Sequence, residues 1–232
     1  MNVAKLHKPK WIVKKTAEEV AVYACDTIIK NAQQAIHKKG SFKIVLAGGT
    51  TPEHIYALLA KASSNWKCWH IYLGDERCLP IDDSERNSVM LQRVLLDKVE
   101  IPKQNIYLIP AELGAKQAAE IYSQIIEGAL PFDMVLLGMG EDGHTASLFP
   151  EQAHNVEELV HPVFEAPKPP AERVSLSVQA LSQNKDLLII VTGTAKHTSI
   201  SKWKNGENLP VTLIKSQGQT NILLDNPAAY SL

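Results

Sequence analysis

The sequence has few cysteines and no long apolar run, and neither sign of charge dominates. Its 232 residues include 3 cysteines, Cys25, Cys68 and Cys78, and none of them forms a C-x-x-C pair. An odd number at these spacings argues against a disulfide framework and against a structural zinc site. We therefore expect a cytoplasmic protein whose fold depends on neither.

Charge and hydropathy exclude further classes of partner. Lys and Arg total 24 against 25 for Asp and Glu, so no global field attracts the chain to nucleic acid or to an anionic membrane. Residues 1–15 are basic but lack the apolar core of a signal peptide, and no segment approaches the roughly 18 apolar residues of a membrane span. An anionic ligand would therefore need locally placed cations.

Hydrophobic residues make up 45% of the chain, an ordinary value for a globular protein, and no internal repeat appears. Residues 167–170 (PKPP) are interpreted as a rigid loop rather than a linker, because a polar and apolar alternation resumes at 173–178. We expect a single domain over residues 1–232. The oligomeric state is left open.

Thr16 and Glu19 have the spacing of a capping box, and apolar residues then recur every three or four positions until Gly40. This pattern predicts a long amphipathic helix. The apolar run at 42–47 predicts a strand, followed by a glycine turn and a second helix that Thr51 could cap.

Strands and helices alternate along the rest of the chain. Strands are predicted at 69–73, 105–109, 132–137 and 186–191, and helices at about 88–96 and 115–126. The last two strands are near-continuous apolar runs, which is typical of strands buried on both faces of a parallel sheet. We therefore predict an α/β fold: an open, mostly parallel sheet with helices on both faces.

Ligands of such sheets bind beyond the carboxyl ends of the strands, which makes the residues after each strand candidates for function. The first segment contains Gly48, Gly49 and Thr50, where glycines let backbone N–H groups approach an anion at a helix N-terminus. Phosphate would suit this turn. A strand-to-helix turn without a ligand explains the same residues equally well.

The second segment is a cluster of charges after the strand at 69–73. Arg77 could bind a phosphate through two donors, while Asp75 and Glu76 could orient it or bind sugar hydroxyls. The alternative is a solvated loop with internal ion pairs.

The third segment, residues 137–150, has three glycines within six residues and contains Asp142 and His144. The unperturbed pKa of histidine lies close to neutrality, so His144 is a candidate base and Asp142 could hold its tautomer. We predict no metal, because no paired metal-ligand spacing appears. No cofactor is predicted either. Without a G-x-S-x-G elbow, covalent catalysis is also disfavoured.

In these segments the chain resembles the 6-phosphogluconolactonase family, part of the glucosamine/galactosamine-6-phosphate isomerase superfamily. The shared motifs are GGTTP at 48–52, DERCLP at 75–80, GMGEDGHTASLFP at 138–150, PKPPAER at 167–173 and TGTAK at 192–196. They occur in the order that the family has. The third motif is highly specific.

The resemblance implies hydrolysis of 6-phospho-D-glucono-1,5-lactone in the oxidative pentose phosphate pathway, on a modified Rossmann-type fold. It also implies roles for individual residues. His144 would be the general base with Asp142 beside it, and the substrate and its phosphate would be held by Gly48, Gly49, Thr50, Asp75, Arg77, Arg173 and Lys196.

Two alternatives remain. A glucosamine-6-phosphate deaminase shares the D-G-H turn. However, the deaminases have a glutamate that partners the histidine where this chain has Phe149, and they have the sequence D-E-Y where this chain has Asp75-Glu76-Arg77. A non-catalytic sugar-phosphate sensor could keep the phosphate-binding residues without needing His144 as a base.

Overall fold

The computed structural model describes residues 8–152 and 157–229. The strands in these ranges are β1 (Lys10–Lys14), β2 (Phe42–Leu46), β3 (Trp69–Leu73), β4 (Asp75–Arg77), β5 (Ile106–Tyr107), β6 (Phe132–Gly138), β7 (Val160–Val163), β8 (Arg173–Leu176), β9 (Asn184–Val191) and β10 (Gln219–Asp225). The α-helices are α1 (Ala17–Lys39), α2 (Thr50–Leu59), α3 (Asn87–Val94), α4 (Ala115–Ala129), α5 (Val178–Ser182), α6 (His197–Lys204), α7 (Pro210–Leu213) and α8 (Asn226–Ala229).

Seven strands form one parallel sheet in the order β1-β10-β9-β6-β2-β3-β5. The predicted α/β fold with an open, mostly parallel sheet is confirmed. The remaining strands form a small antiparallel sheet in the order β4-β8-β7, which the sequence did not predict.

The chain reverses its course across the large sheet after β5. It runs from β2 through β3 to β5 at one edge, and it then returns to place β6 on the other side of β2. At such a reversal the connections leave two neighbouring strands in opposite directions, which opens a crevice at the carboxyl ends of the strands. The segments that follow β2 and β6 both start at this crevice.

Local signals account for the first helix as predicted. The Thr16 hydroxyl accepts a hydrogen bond from the Glu19 N–H at 3.2 Å, and Gly40 ends α1 in the left-handed conformation at φ 79°. The apolar face of α1, which includes Val20, Ala24 and Ile28, is fully buried in the main core.

Two buried tyrosines fasten the strand ends that border the crevice. The Tyr56 hydroxyl donates to the Ala47 carbonyl at 2.7 Å and accepts from the Ala47 N–H at 2.9 Å, directly after β2. The Tyr122 hydroxyl accepts from the Leu73 N–H at 2.9 Å, at the end of β3. Both pairings satisfy backbone groups that the sheet leaves open.

Three sequence predictions were wrong in detail. Helix α2 begins at Thr50 with Gly49 at its N-cap, so Thr51 does not cap it. The Thr51 hydroxyl pairs instead with the Thr192 hydroxyl at 2.7 Å, across the sheet. The strand predicted at 105–109 is only two residues long. The polar and apolar alternation noted at 173–178 stops at Ser177, whose hydroxyl caps α5.

In the described ranges, no helix combines the length and apolar character that crossing a bilayer requires.

Candidate active site

A cleft of about 660 Å³ opens at the crevice between β2 and β6. The residues that the sequence predicted for the site line it, except Asp142, which contacts His144, and Glu76, which is buried away from the cleft. The cationic side chains that line the cleft are Arg77, Lys168, Arg173 and Lys196, whereas Asp75 is the one carboxylate among the described lining residues. This excess of positive charge favours a ligand with several negative charges.

His144 and Asp142 form a hydrogen-bonded pair. Asp142 Oδ1 lies 2.5 Å from His144 Nδ1 and also accepts the His144 backbone N–H at 3.2 Å. With Asp142 ionised, Nδ1 carries the proton and donates a hydrogen bond to the carboxylate. Nε2 is then unprotonated and can accept a proton. In this arrangement the imidazole can act as a base through Nε2.

The protonation states favour the same arrangement. Burial lowers the pKa of His144 below its usual value, and this effect outweighs the hydrogen bond and charge of Asp142, which act to raise it. Burial acts to raise the pKa of Asp142, but the hydrogen bond from His144 prevails and holds that pKa below its usual range. A neutral imidazole beside an ionised carboxylate follows at neutral pH.

The glycines of the turn after β6 make room for this pair. A Cβ atom on Gly140 would lie 2.0 Å from His144 Nδ1 and 2.6 Å from Asp142 Oδ1. At Gly143, φ is 86°, and a Cβ would lie 2.8 Å from Leu209. The imidazole and carboxylate can occupy their positions only because residue 140 has no side chain.

Asp75 is held rigidly at the edge of the cleft. Its Oδ2 accepts the Ser147 hydroxyl at 2.6 Å, and its Oδ1 accepts the Asn87 amide at 3.2 Å. A Cβ on Gly48 would lie 1.9 Å from Asn87 Oδ1, so Asn87 fits only against a glycine. Sequence reasoning missed Asn87 and the role of Ser147, although both lie inside segments that it singled out.

Glu76 and Arg77 point to different environments. Glu76 is fully buried and accepts the backbone N–H groups of Arg77, Asn87 and Ser88 at 2.8 to 2.9 Å, so it holds the segment together and does not reach a ligand. The Arg77 guanidinium lines the cleft. It donates through Nη1 to the Glu85 carbonyl, and its Nε is buried without a partner among the described residues.

The start of α2 adds backbone donors to the same cleft. At the start of α2 the Glu53 N–H donates to the Gly49 carbonyl, so the N–H groups of Thr50 and Thr51 have no partner within the helix. Gly49 adopts φ 106°, which opens the turn toward the cleft. This helix end can bind an anion.

Within residues 8–152 and 157–229, no group of three or more His, Cys, Asp or Glu side chains is placed to hold a metal ion.

A family model described as glucosamine-6-phosphate isomerases/6-phosphogluconolactonase matches residues 15–223. The chain belongs to this family. The 6-phosphogluconolactonase of Haemophilus influenzae is 31% identical over 244 aligned positions that cover 100% of both chains. The solved 6-phosphogluconolactonase of Thermotoga maritima superposes with a TM-score of 0.88 at 27% identity, covering 94% of this chain and 100% of that one.

A larger relative contains the same region. The human GDH/6PGL endoplasmic bifunctional protein is 36% identical over 197 residues, which cover 80% of this chain and 25% of that protein. The chain therefore matches about a quarter of the length of that relative.

Proposed function

We propose that the protein hydrolyses 6-phospho-D-glucono-1,5-lactone to 6-phospho-D-gluconate, the hydrolytic step of the oxidative pentose phosphate pathway. The pairing of His144 with Asp142 beside a cleft rich in cations carries this proposal. Similarity to the 6-phosphogluconolactonases of Haemophilus influenzae and Thermotoga maritima, each matched over its full length, supports the same substrate.

The reaction would need one base and one oriented water. His144 Nε2 removes a proton from water, the resulting hydroxide oxygen bonds to C1 of the lactone, and the carbonyl oxygen takes up negative charge. When the carbonyl re-forms, the bond from C1 to the ring oxygen breaks and the imidazolium returns its proton to that oxygen. Asp142 stabilises the imidazolium between these two proton transfers.

The phosphate takes no part in bond breaking, but its binding holds C1 against the water. Arg77, Lys196 and the backbone at Gly48, Gly49 and Thr50 supply the donors that we assign to it. Asp75, fixed by Ser147 and Asn87, is assigned to the sugar hydroxyls because its carboxylate can only accept hydrogen bonds.

The deaminase alternative is disfavoured by Phe149. Its ring lies 4.8 Å from the imidazole of His144, centroid to centroid, and it is 1% exposed. An apolar ring at this position cannot exchange a proton with the histidine or with a leaving amine.

A cytoplasmic location and a single domain over residues 1–232 stay predictions. Support for the location is that Cys25, Cys68 and Cys78 are free thiols, as in a reducing compartment. We propose neither nucleic acid nor a membrane as a partner.

A spectrophotometric assay of lactone loss against spontaneous hydrolysis tests the activity. We expect wild-type protein to accelerate ring opening and His144→Asn to lower kcat by on the order of 10² or more with the fold intact. If folded wild-type protein did not accelerate ring opening, the proposed lactonase function would be rejected. Full turnover by His144→Asn would reject the assigned base, and phosphate-ligand binding without turnover would favour the sensor.

A further inference from the structure

The loop between β7 and β8, residues 164–172, brings Lys168 to the rim of the cleft. We propose that Lys168 binds the phosphate of the substrate and that Arg173 is a positioning residue that holds the loop presenting it. The proposal rests on the proposed lactonase function. It deepens that function by adding a specificity-determining residue that sequence reasoning did not select.

Arg173 is bonded mainly to the backbone of this loop. Its Nη2 donates to the carbonyls of Lys168 and Pro169, both at 2.9 Å, and its Nε donates to the carbonyl of Pro170 at 3.0 Å. The side chain is 6% exposed, so these charge-assisted bonds are shielded from water. Of its three nitrogen groups, Nη1 alone makes no hydrogen bond to a residue that the structure describes, which leaves it available to a ligand.

The Arg173 guanidinium also contacts Phe149, which in turn packs against His144. Its central carbon lies 5.6 Å from the centroid of the Phe149 ring, and that ring packs against His144. Arg173 therefore sets the position of the Lys168 backbone relative to the imidazole. A loop tied at three successive carbonyls has little freedom to move its lysine away from the cleft.

The Lys168 ammonium has no hydrogen bond or ion pair with the described residues, although Lys168 lines the cleft. Its charge acts on two other groups of the site: it helps to lower the pKa of His144 and that of Lys196, in both cases after burial as the larger cause. Lys168, His144 and Lys196 line the same cleft, and the positive charge of Lys168 acts on the other two groups.

The Lys168 and Lys196 ammonium groups line one cleft and repel each other, and an anion bound between them would relieve that repulsion. A phosphate monoester carries close to two negative charges at neutral pH, whereas the lactone ring is neutral. The phosphate is therefore the part of the substrate that gains most from Lys168 and Lys196 together.

Kinetics with two lactones test this assignment. For Lys168→Ala, we expect kcat/KM for 6-phospho-D-glucono-1,5-lactone to fall about tenfold or more, chiefly through KM, and that for D-glucono-1,5-lactone to change less than about twofold. Lys168→Arg should recover most of the loss. Lys116→Ala, which removes an exposed lysine of α4 outside the cleft, is the matched control and should match wild type.

Equal losses on both lactones would overturn the proposal, because they would place Lys168 at the reacting carbonyl. Unchanged kinetics for Lys168→Ala would overturn it as well.

A double-mutant cycle tests the positioning role of Arg173. If Arg173 acts through Lys168, Arg173→Lys should raise KM for the phosphorylated lactone in the wild-type background and have a much smaller effect on top of Lys168→Ala. Arg173→Lys keeps the buried positive charge but cannot bond three carbonyls as the guanidinium does, so folding is expected to survive. Additive effects in the cycle would reject the role of Arg173.

Calorimetric titration with 6-phospho-D-gluconate and with D-gluconate separates this inference from the lactonase activity. If wild-type protein opened no lactone, the proposed function would fail, yet the Lys168 assignment would still predict at least tenfold weaker binding of 6-phospho-D-gluconate by Lys168→Ala. Equal binding by wild type and Lys168→Ala would reject the assignment whatever the enzyme assay showed.

Discussion

The chemistry of the site comes from the surroundings of single side chains. An exposed histidine is partly protonated near neutral pH, and burial beside Asp142 keeps His144 neutral with Nε2 available. Asp75 differs from Asp142 because its partners, Ser147 and Asn87, carry no charge. The two carboxylates of the site therefore have different surroundings, which fits the different roles proposed for them.

Asp142→Asn should impair the base in two ways. An amide can donate to Nδ1 and so favour the tautomer with the proton on Nε2, which cannot accept one, and we expect kcat/KM to fall on the order of 10² or more. Because Asp142 raises the pKa of His144, its loss lowers that pKa further, and the acidic limb of the pH profile should move to lower pH. Rates across pH 4 to 8 check both. An acidic limb at the wild-type position would contradict this account.

Replacing Arg77 with Ala removes a donor assigned to the phosphate. A charge-assisted hydrogen bond contributes about 1.5 to 3 kcal/mol, so kcat/KM for the phosphorylated lactone should fall tenfold to a hundredfold or more. D-glucono-1,5-lactone has no phosphate and should be affected far less. Arg93→Ala, an exposed arginine of α3 paired with Glu53, is the control. A matching fractional loss on the two lactones would place Arg77 at the carbonyl instead.

At the scale of secondary structure, the site is assembled from strand ends. The turns after β2, β6 and β9 supply the glycine turn, the proposed base His144 and Lys196, and β4 carries Asp75 and Arg77. The alternative that the charge cluster is a solvated loop was wrong for its first three residues. Asp75, Glu76 and Arg77 form β4, which pairs with β8 in the antiparallel sheet. A strand holds side chains more rigidly than a free loop, which suits substrate binding.

Gly140→Ala should damage catalysis more than folding. The new methyl group would overlap His144 Nδ1, and displacing the imidazole by about 1 Å is expected to cost on the order of 10² in kcat. The control is Gly128→Ala in α4, where a Cβ meets nothing within 4 Å and alanine favours the helix. Circular dichroism and turnover of both variants give the test. Near-normal kcat in folded Gly140→Ala would show that the pair tolerates displacement.

Across the whole molecule, the two edges of the parallel sheet have different roles. The carboxyl ends of the strands form the cleft, and the amino ends are joined by a buried carboxylate. Asp133, at the start of β6, accepts from the Lys43 N–H at 2.8 Å and contacts Lys39 Nζ at 2.7 Å and Lys185 Nζ at 2.8 Å. It thereby links α1, β2, β6 and β9.

Asp133→Asn should lower stability without lowering activity. Burial acts to raise the pKa of Asp133, but the hydrogen bonds from Lys185 and Lys39 prevail and hold it below its ordinary value near 4. The ionised carboxylate therefore stabilises the fold above that value, and this contribution is lost as pH falls through the folded-state pKa. We expect about 2 kcal/mol less unfolding free energy at pH 7.

Urea unfolding at several pH values checks the prediction, and the difference from wild type should shrink as the pH falls below about 4. Glu120→Gln, an exposed carboxylate of α4 without a hydrogen bond among the described residues, is the control. A difference that stayed constant with pH would show that the charge of Asp133 is not what stabilises the fold.

Much of the architecture could be predicted from local signals. The capping residues of α1, the glycine that ends it and the apolar runs of β2, β3, β6 and β9 act within a few residues of the chain, so periodicity and composition reveal them. The motifs after β2, β3 and β6 could be placed at one edge of the sheet for the same reason. His144, Asp142 and Arg77 were accordingly found as candidates.

Contacts between distant segments could not be predicted in this way. Ser147 and Asp75 are separated by 72 residues, and their hydrogen bond depends on how β4 packs beside the turn after β6. The same holds for Arg173, for which the family motif implied a role in binding the substrate or its phosphate although most of its donors bind the 164–172 loop. Strand order and side-chain partners arise from packing the whole core at once, and no local pattern in the sequence encodes that packing.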